Sequence, residues 1–65
     1  MSYTNNDFDK IDVYGTLIRE TDKAIYIEVG DERVWLPKSQ IEFFVTDTLT
    51  RVVLPQWLAV QRGLV

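Results

Sequence analysis

Apolar and polar residues alternate along most of this chain, with a period of two. The pattern sets in at Phe8. Ile11, Val13, Gly15 and Leu17 alternate with Asp12, Tyr14, Thr16 and Ile18, which predicts a strand with one face toward a core. Gly15 in its middle predicts a bulge or a sharp bend. Glu20-Thr21-Asp22-Lys23 is a polar turn. Ala24 to Val29 is the clearest strand, with Ile25, Ile27 and Val29 on one face and Ala24, Tyr26 and Glu28 on the other. Gly30-Asp31-Glu32 closes a short hairpin loop. Arg33 to Leu36 returns with Val34 and Leu36 inward and Trp35 outward. Tyr26 and Trp35 therefore belong to the outer face of one hairpin, within reach of each other across it.

Pro37 has no amide hydrogen to give a ladder, so the second hairpin strand ends there. Lys38-Ser39-Gln40 has the length of a single 3₁₀ turn. Alternation resumes with Ile41, Phe43 and Val45 against Glu42, Phe44 and Thr46. A turn at Asp47-Thr48-Leu49-Thr50 leads to a last short strand, Arg51 to Leu54. Residues 55–63 then predict a short helix: Pro55 at its first position, Gly63 as a left-handed cap, and Leu64 folding back as the cap's apolar contact. Trp57, Val60 and Leu64 form its apolar stripe. The predicted fold is all-β and small: a single domain over residues 1–65, a five-stranded antiparallel half-barrel with a C-terminal helix, SH3-like in preference to OB-like. Its predicted core is Val13, Leu17, Ile25, Ile27, Val34, Leu36, Ile41, Phe43, Val45 and Leu58.

Size changes the picture first. A domain of 65 residues buries only about 60% of its unfolded surface and commonly needs a staple. The chain has no cysteine and no histidine, which removes disulfides and thiolate or imidazole metal sites. Self-association is the staple that remains. The lack of cysteine fits a reducing cytoplasm, no apolar run reaches the length of a membrane span, and residues 1–7 are polar, which predicts a frayed end, and unlike a signal peptide. Asn5, Asp7 and Asp9 are spaced like the start of a calcium loop, but Lys10 stands where that loop needs glycine and Thr16 where it needs glutamate. No metal and no cofactor is expected.

The net charge of −3 opposes non-specific binding to a nucleic-acid duplex and fits a partner with a basic surface, or no charged partner at all. The usual enzymatic bases and nucleophiles, His and Cys, are missing. Ser39 has only an adjacent lysine, and Asp7, Asp9, Asp12, Glu20, Asp22, Asp31 and Glu32 fall in turns or near the N-terminus, whereas a general acid needs a partly buried carboxyl. The three glycines are too scattered for a phosphate loop. The chain reads as a non-enzymatic protein.

Two stretches carry resemblances. Leu36-Pro37-Lys38-Ser39-Gln40-Ile41 resembles the strand–proline–3₁₀–strand corner of SH3-like barrels. The acidic, tyrosine-rich motif of true SH3 domains is missing, so proline-peptide binding does not carry over. Lys23 to Val29, Val34 to Ile41 and Leu54 to Ala59 together resemble a group of small bacterial and phage proteins with a W-[IL]-P-K-S-Q turn and a P-x-W-L-A helix. That resemblance covers about half the chain, brings no established activity, and implies an accessory protein of a phage, plasmid or bacterium, in the cytoplasm of the bacterium or phage-infected host; an inhibitor or adaptor role would instead set the outer aromatics and acidic loops against a basic partner.

Candidate partner-binding residues are Tyr26, Trp35, Lys38, Ser39 and Gln40. The aromatic pair supplies the residue types enriched at interface hot spots, and the turn supplies polar groups beside it. Phe44, Trp57, Val60 and Leu64 are the candidates for an oligomer interface, because the tail is too apolar for a free surface helix. The leading expectation is a self-associating module that binds another protein. The alternative is single-stranded nucleic acid or a phosphorylated nucleotide, stacked on Tyr26 and Trp35 and held by the amides of residues 38–40 and the Lys38 ammonium. A short tail with Gln56 and Gln61 reads as a docked helix, not a membrane-surface one.

Overall fold

A computed structural model describes residues 10–65. The polar N-terminus, the Asn5/Asp7/Asp9 spacing and the start of the pattern at Phe8 lie outside the described residues. Five strands follow in order: β1 (Lys10–Glu20), β2 (Ala24–Val29), β3 (Glu32–Pro37), β4 (Glu42–Val45) and β5 (Thr50–Pro55). A 3₁₀ turn over Lys38–Gln40 joins β3 to β4, and helix α1 (Gln56–Gln61) follows β5. All pairings are antiparallel, the sheet order is β3-β2-β1-β5-β4, and the sheet does not close. The chain is thus small and all-β with a C-terminal helix, as its alternation predicts.

The longest strand serves two neighbours. Lys10–Gly15 pairs with β5, and Thr16–Glu20 pairs with β2. The change of partner falls after Gly15. A Cβ there would lie 2.2 Å from the Glu28 carbonyl oxygen, so glycine is required by the close approach of β2's backbone. The bulge predicted at Gly15 lies further along, between Leu17 and Arg19, where the β1–β2 register slips. The polar turns are closed by threonines in the same way. The Thr21 amide donates to the Ala24 carbonyl (2.8 Å) and the Thr46 amide to the Leu49 carbonyl (2.9 Å), while the amides of Ala24 and Leu49 donate back to the threonine hydroxyls.

Val13, Ile25, Ile27, Val34, Leu36, Val52, Leu54, Leu58 and Ala59 form the buried core, and Ile11, Leu17, Val29, Ile41, Phe43 and Leu64 pack against it. The predicted core holds with one correction. Val45 points inward by alternation but is 60% exposed. It ends an edge strand and runs past the core. The members that sequence reading left out, Val52, Leu54 and Ala59, sit on the last strand and the helix it feeds.

The helix corrects the place of Pro55. It ends β5 in extended conformation (ψ 145°) and caps the helix; it does not occupy its first turn. The docked face is Leu58, a member of the predicted core, together with Ala59, while the stripe residues Trp57 and Val60 are 53% and 57% exposed. Four consecutive apolar residues, Trp57 to Val60, leave periodicity no means of choosing a face, and the small Ala59 side chain lets the helix sit close. The C-terminus is a Schellman cap. Leu64 N–H donates to the Ala59 carbonyl (2.8 Å), Gly63 N–H donates to the Val60 carbonyl (3.1 Å), and Leu64 packs back on the core. Gly63 has φ +78°, which disfavours any side chain. Gly63→Ala is expected to cost about 1 kcal/mol, a fall of about 4–8 °C in melting temperature by circular dichroism. An unchanged melting temperature would mean that the cap contributes nothing to the docked helix.

Candidate functional site

The outer face of the sheet carries two rows of aromatic and arginine side chains. The first follows from the β1–β2–β3 register, which sets Arg19 opposite Tyr26 and Tyr26 opposite Trp35. The two rings lie 4.9 Å apart between centroids with their planes tilted by 32°. That is aromatic contact distance, and such a pair adds roughly 0.5–1.5 kcal/mol beyond the area it buries. Trp35 remains 44% exposed, so it offers a partner a large, already ordered apolar surface. Beside this row Arg33 pairs with Glu28 (3.4 Å).

The second row follows from the β1–β5–β4 register: Tyr14 opposite Arg51, and Arg51 opposite Phe44. The Arg51 guanidinium lies 5.4 Å from the Phe44 ring centroid, and its Nε donates to Asp12 Oδ2 (3.2 Å). Tyr14, Phe44, Thr46, Thr48, Leu49 and Arg51 line a shallow recess. Of this group only Phe44 is among the candidates that the sequence offers. Alternation marks Tyr14 as outward, but only the pairing of β1 with β5 brings it next to Arg51.

The 3₁₀ turn forms where predicted, yet its polar groups are engaged. Lys38 Nζ donates to Glu20 Oε2 at 2.6 Å and stands 5.9 Å from the Phe43 ring. The Lys38 amide donates to the Lys23 carbonyl (2.7 Å). Two of the groups expected to meet a phosphate therefore already have partners. Ser39 and Gln40 are exposed and border a separate recess with Lys10, Ile41, Glu42 and Val53. The five predicted binding residues divide into the aromatic pair on the outer face and three residues around the turn.

The oligomer candidates divide as well. Phe44 lies on the edge strand β4, Trp57 and Val60 on the free side of α1, and Leu64 is half-buried in the cap. Arg62 Nε reaches from the end of the helix to the Trp35 carbonyl (2.9 Å) and ties α1 to the β3 edge.

Among the described residues, carboxylates match Arg33, Lys38 and Arg51 in the pairs Arg33–Glu28, Lys38–Glu20 and Arg51–Asp12. Beyond these three pairs the described residues carry five acids, Asp22, Asp31, Glu32, Glu42 and Asp47, and four bases, Lys10, Arg19, Lys23 and Arg62, a surplus of one acid. Among the described residues no cluster of three or more His, Cys, Asp or Glu is placed to hold a metal, and no helix is long and apolar enough to cross a membrane. No family model, curated protein or solved structure matches the chain.

Proposed function

We propose that this chain is a non-enzymatic interaction module that self-associates and binds another protein through the aromatic rows of its outer face. The observation that carries this reading is the Tyr26–Trp35 ring contact, with Trp35 44% exposed, on a sheet where Arg33 and Lys38 are already matched by acids. A protein surface with basic groups fits the chain's net charge of −3 and gains burial from Trp35. The likeness to small bacterial and phage proteins supports an accessory role in a bacterial cytoplasm.

The nucleic-acid alternative relies on Lys38, which Glu20 neutralises. It retains Arg19 beside Tyr26 as a cation next to a stacking ring. The test compares capture of host protein by the wild type, Trp35→Ala and Lys38→Glu, alongside titration of a mixed-sequence single-stranded oligonucleotide. Trp35→Ala is expected to weaken the captured partner's affinity by about thirtyfold, the effect of losing an interface hot spot, and Lys38→Glu to leave it unchanged. Oligonucleotide binding that weakens steeply with salt and is lost in Lys38→Glu would overturn the reading.

A further inference from the structure

We propose that β4 is the self-association edge: two copies pair their β4 strands antiparallel about a two-fold axis through Phe44, making one continuous sheet. This deepens the self-association in the reading above and rests on it.

The two edges of the open sheet are treated differently. At β3, Arg62 occupies the Trp35 carbonyl, Pro37 ends the strand without an amide hydrogen, and Glu32 and Arg33 place charges along it. These are the usual devices that stop strand addition. β4 has none beyond Glu42 at its start. Phe43, Phe44 and Val45 follow in succession, and all of the strand but Phe43 is exposed. An apolar edge with unpaired backbone groups is a template for another strand.

The phase of the ladder identifies which strand fits. The Thr46 amide donates to the Leu49 carbonyl, so residue 46 turns its backbone toward β5. Antiparallel ladders alternate. In the register Phe43↔Val52, Phe44↔Arg51 and Val45↔Thr50, Phe44 therefore also turns toward β5. Phe43 and Val45 turn their N–H and C=O groups outward. Outward groups two residues apart are complementary to themselves. Phe43 of one copy exchanges hydrogen bonds with Val45 of the other, and Val45 with Phe43, while Phe44 faces its own counterpart as a close, non-hydrogen-bonded pair.

This register also explains Val45. Its side chain points to the core side yet lacks cover within its own chain. In the pair it lies beside Phe43 of the second copy, and the apolar layer continues across the axis. An axis on Phe43 would need the Ile41 amide, which already donates to the Lys38 carbonyl (3.3 Å), and would set Glu42 against Phe44. An axis on Val45 would run Phe43 into the loop at Asp47. With the axis on Phe44, Glu42 meets neutral Thr46 and no carboxylate faces a carboxylate across the ladder. Copies that each carry a net charge of −3 require such a seam, and Arg51, held by Asp12 over Phe44, adds no unmatched charge to it.

The test is sedimentation of the full chain from micromolar concentration to about 1 mM, with fold checked by circular dichroism. The wild type is expected to dimerise. Val45→Lys, at a position exposed in the single chain, should keep the fold and raise the dimer dissociation constant about tenfold or more. Val45→Pro should do the same by removing an amide hydrogen that pairs only across the dimer; if that variant does not fold, Val45→Lys decides. Val60→Lys makes the same charge change on the helix and should leave the dimer intact. A wild type that stays monomeric at about 1 mM would overturn this proposal and self-association together. A dimer that survives Val45→Lys but is lost in Val60→Lys would keep self-association and overturn the β4 seam.

Discussion

Replacing Ile27 with alanine is expected to leave the chain without a cooperative unfolding transition at 25 °C. Ile27 is fully buried at the centre of β2, opposite Leu17 of β1 and Val34 of β3, so its side chain joins three strands. Truncating such a residue removes its transfer free energy and leaves a cavity, a loss of about 2–5 kcal/mol. A single core in a domain this small rarely supplies more than about 3–5 kcal/mol in total. The two quantities are of the same size. The measurement is urea denaturation followed by tryptophan fluorescence and circular dichroism. A sigmoidal transition with an unchanged midpoint would mean that the inward face of β2 has been assigned to the wrong residues.

Gly15→Ala is the second large effect, and it acts by crowding. The added methyl carbon would stand 2.2 Å from the Glu28 carbonyl oxygen and 2.9 Å from a Val29 methyl group. A methyl group of Val29 can turn away; a backbone oxygen in the middle of two ladders cannot. Glu28 pairs with Thr16 on one side and Arg33 on the other, so moving it disturbs β1–β2 and β2–β3 together. Overpacking typically costs about 1–3 kcal/mol, and this site lies at the upper end. A fall of about 10–20 °C in melting temperature is expected. A change within about 3 °C would show that β2 does not pass so close to Gly15.

These two positions separate what was legible from what was not. Ile27 can be assigned to the core by counting, because side chains on a strand alternate whatever the strand pairs with. Gly15 can be marked as unusual, but the reason for it lies thirteen residues away in the Glu28 carbonyl. The candidate site divides along the same line. Tyr26 and Trp35 are neighbours through a hairpin with a short loop, so local spacing places them together. Tyr14, Arg51 and Phe44 become neighbours only through β1–β5 and β5–β4 pairing, and the Lys38–Glu20 pair that weakens the phosphate reading spans eighteen residues.

By itself, the sequence determined the five strands, the 3₁₀ turn after Pro37, the helical tail with its glycine cap, and the inward face of β2 and β3. All of these depend on periodicity and on backbone conformations that residues impose within a few positions. The tertiary structure decided the sheet order, the split partnership of β1, the burial of Ala59 beside Leu58, and the exposure of Val45 at an open edge. Backbone ladders form with much the same bonds whichever strands meet. The choice among them is made by how the whole set of side chains fills one core, and no single stretch of the chain contains that information.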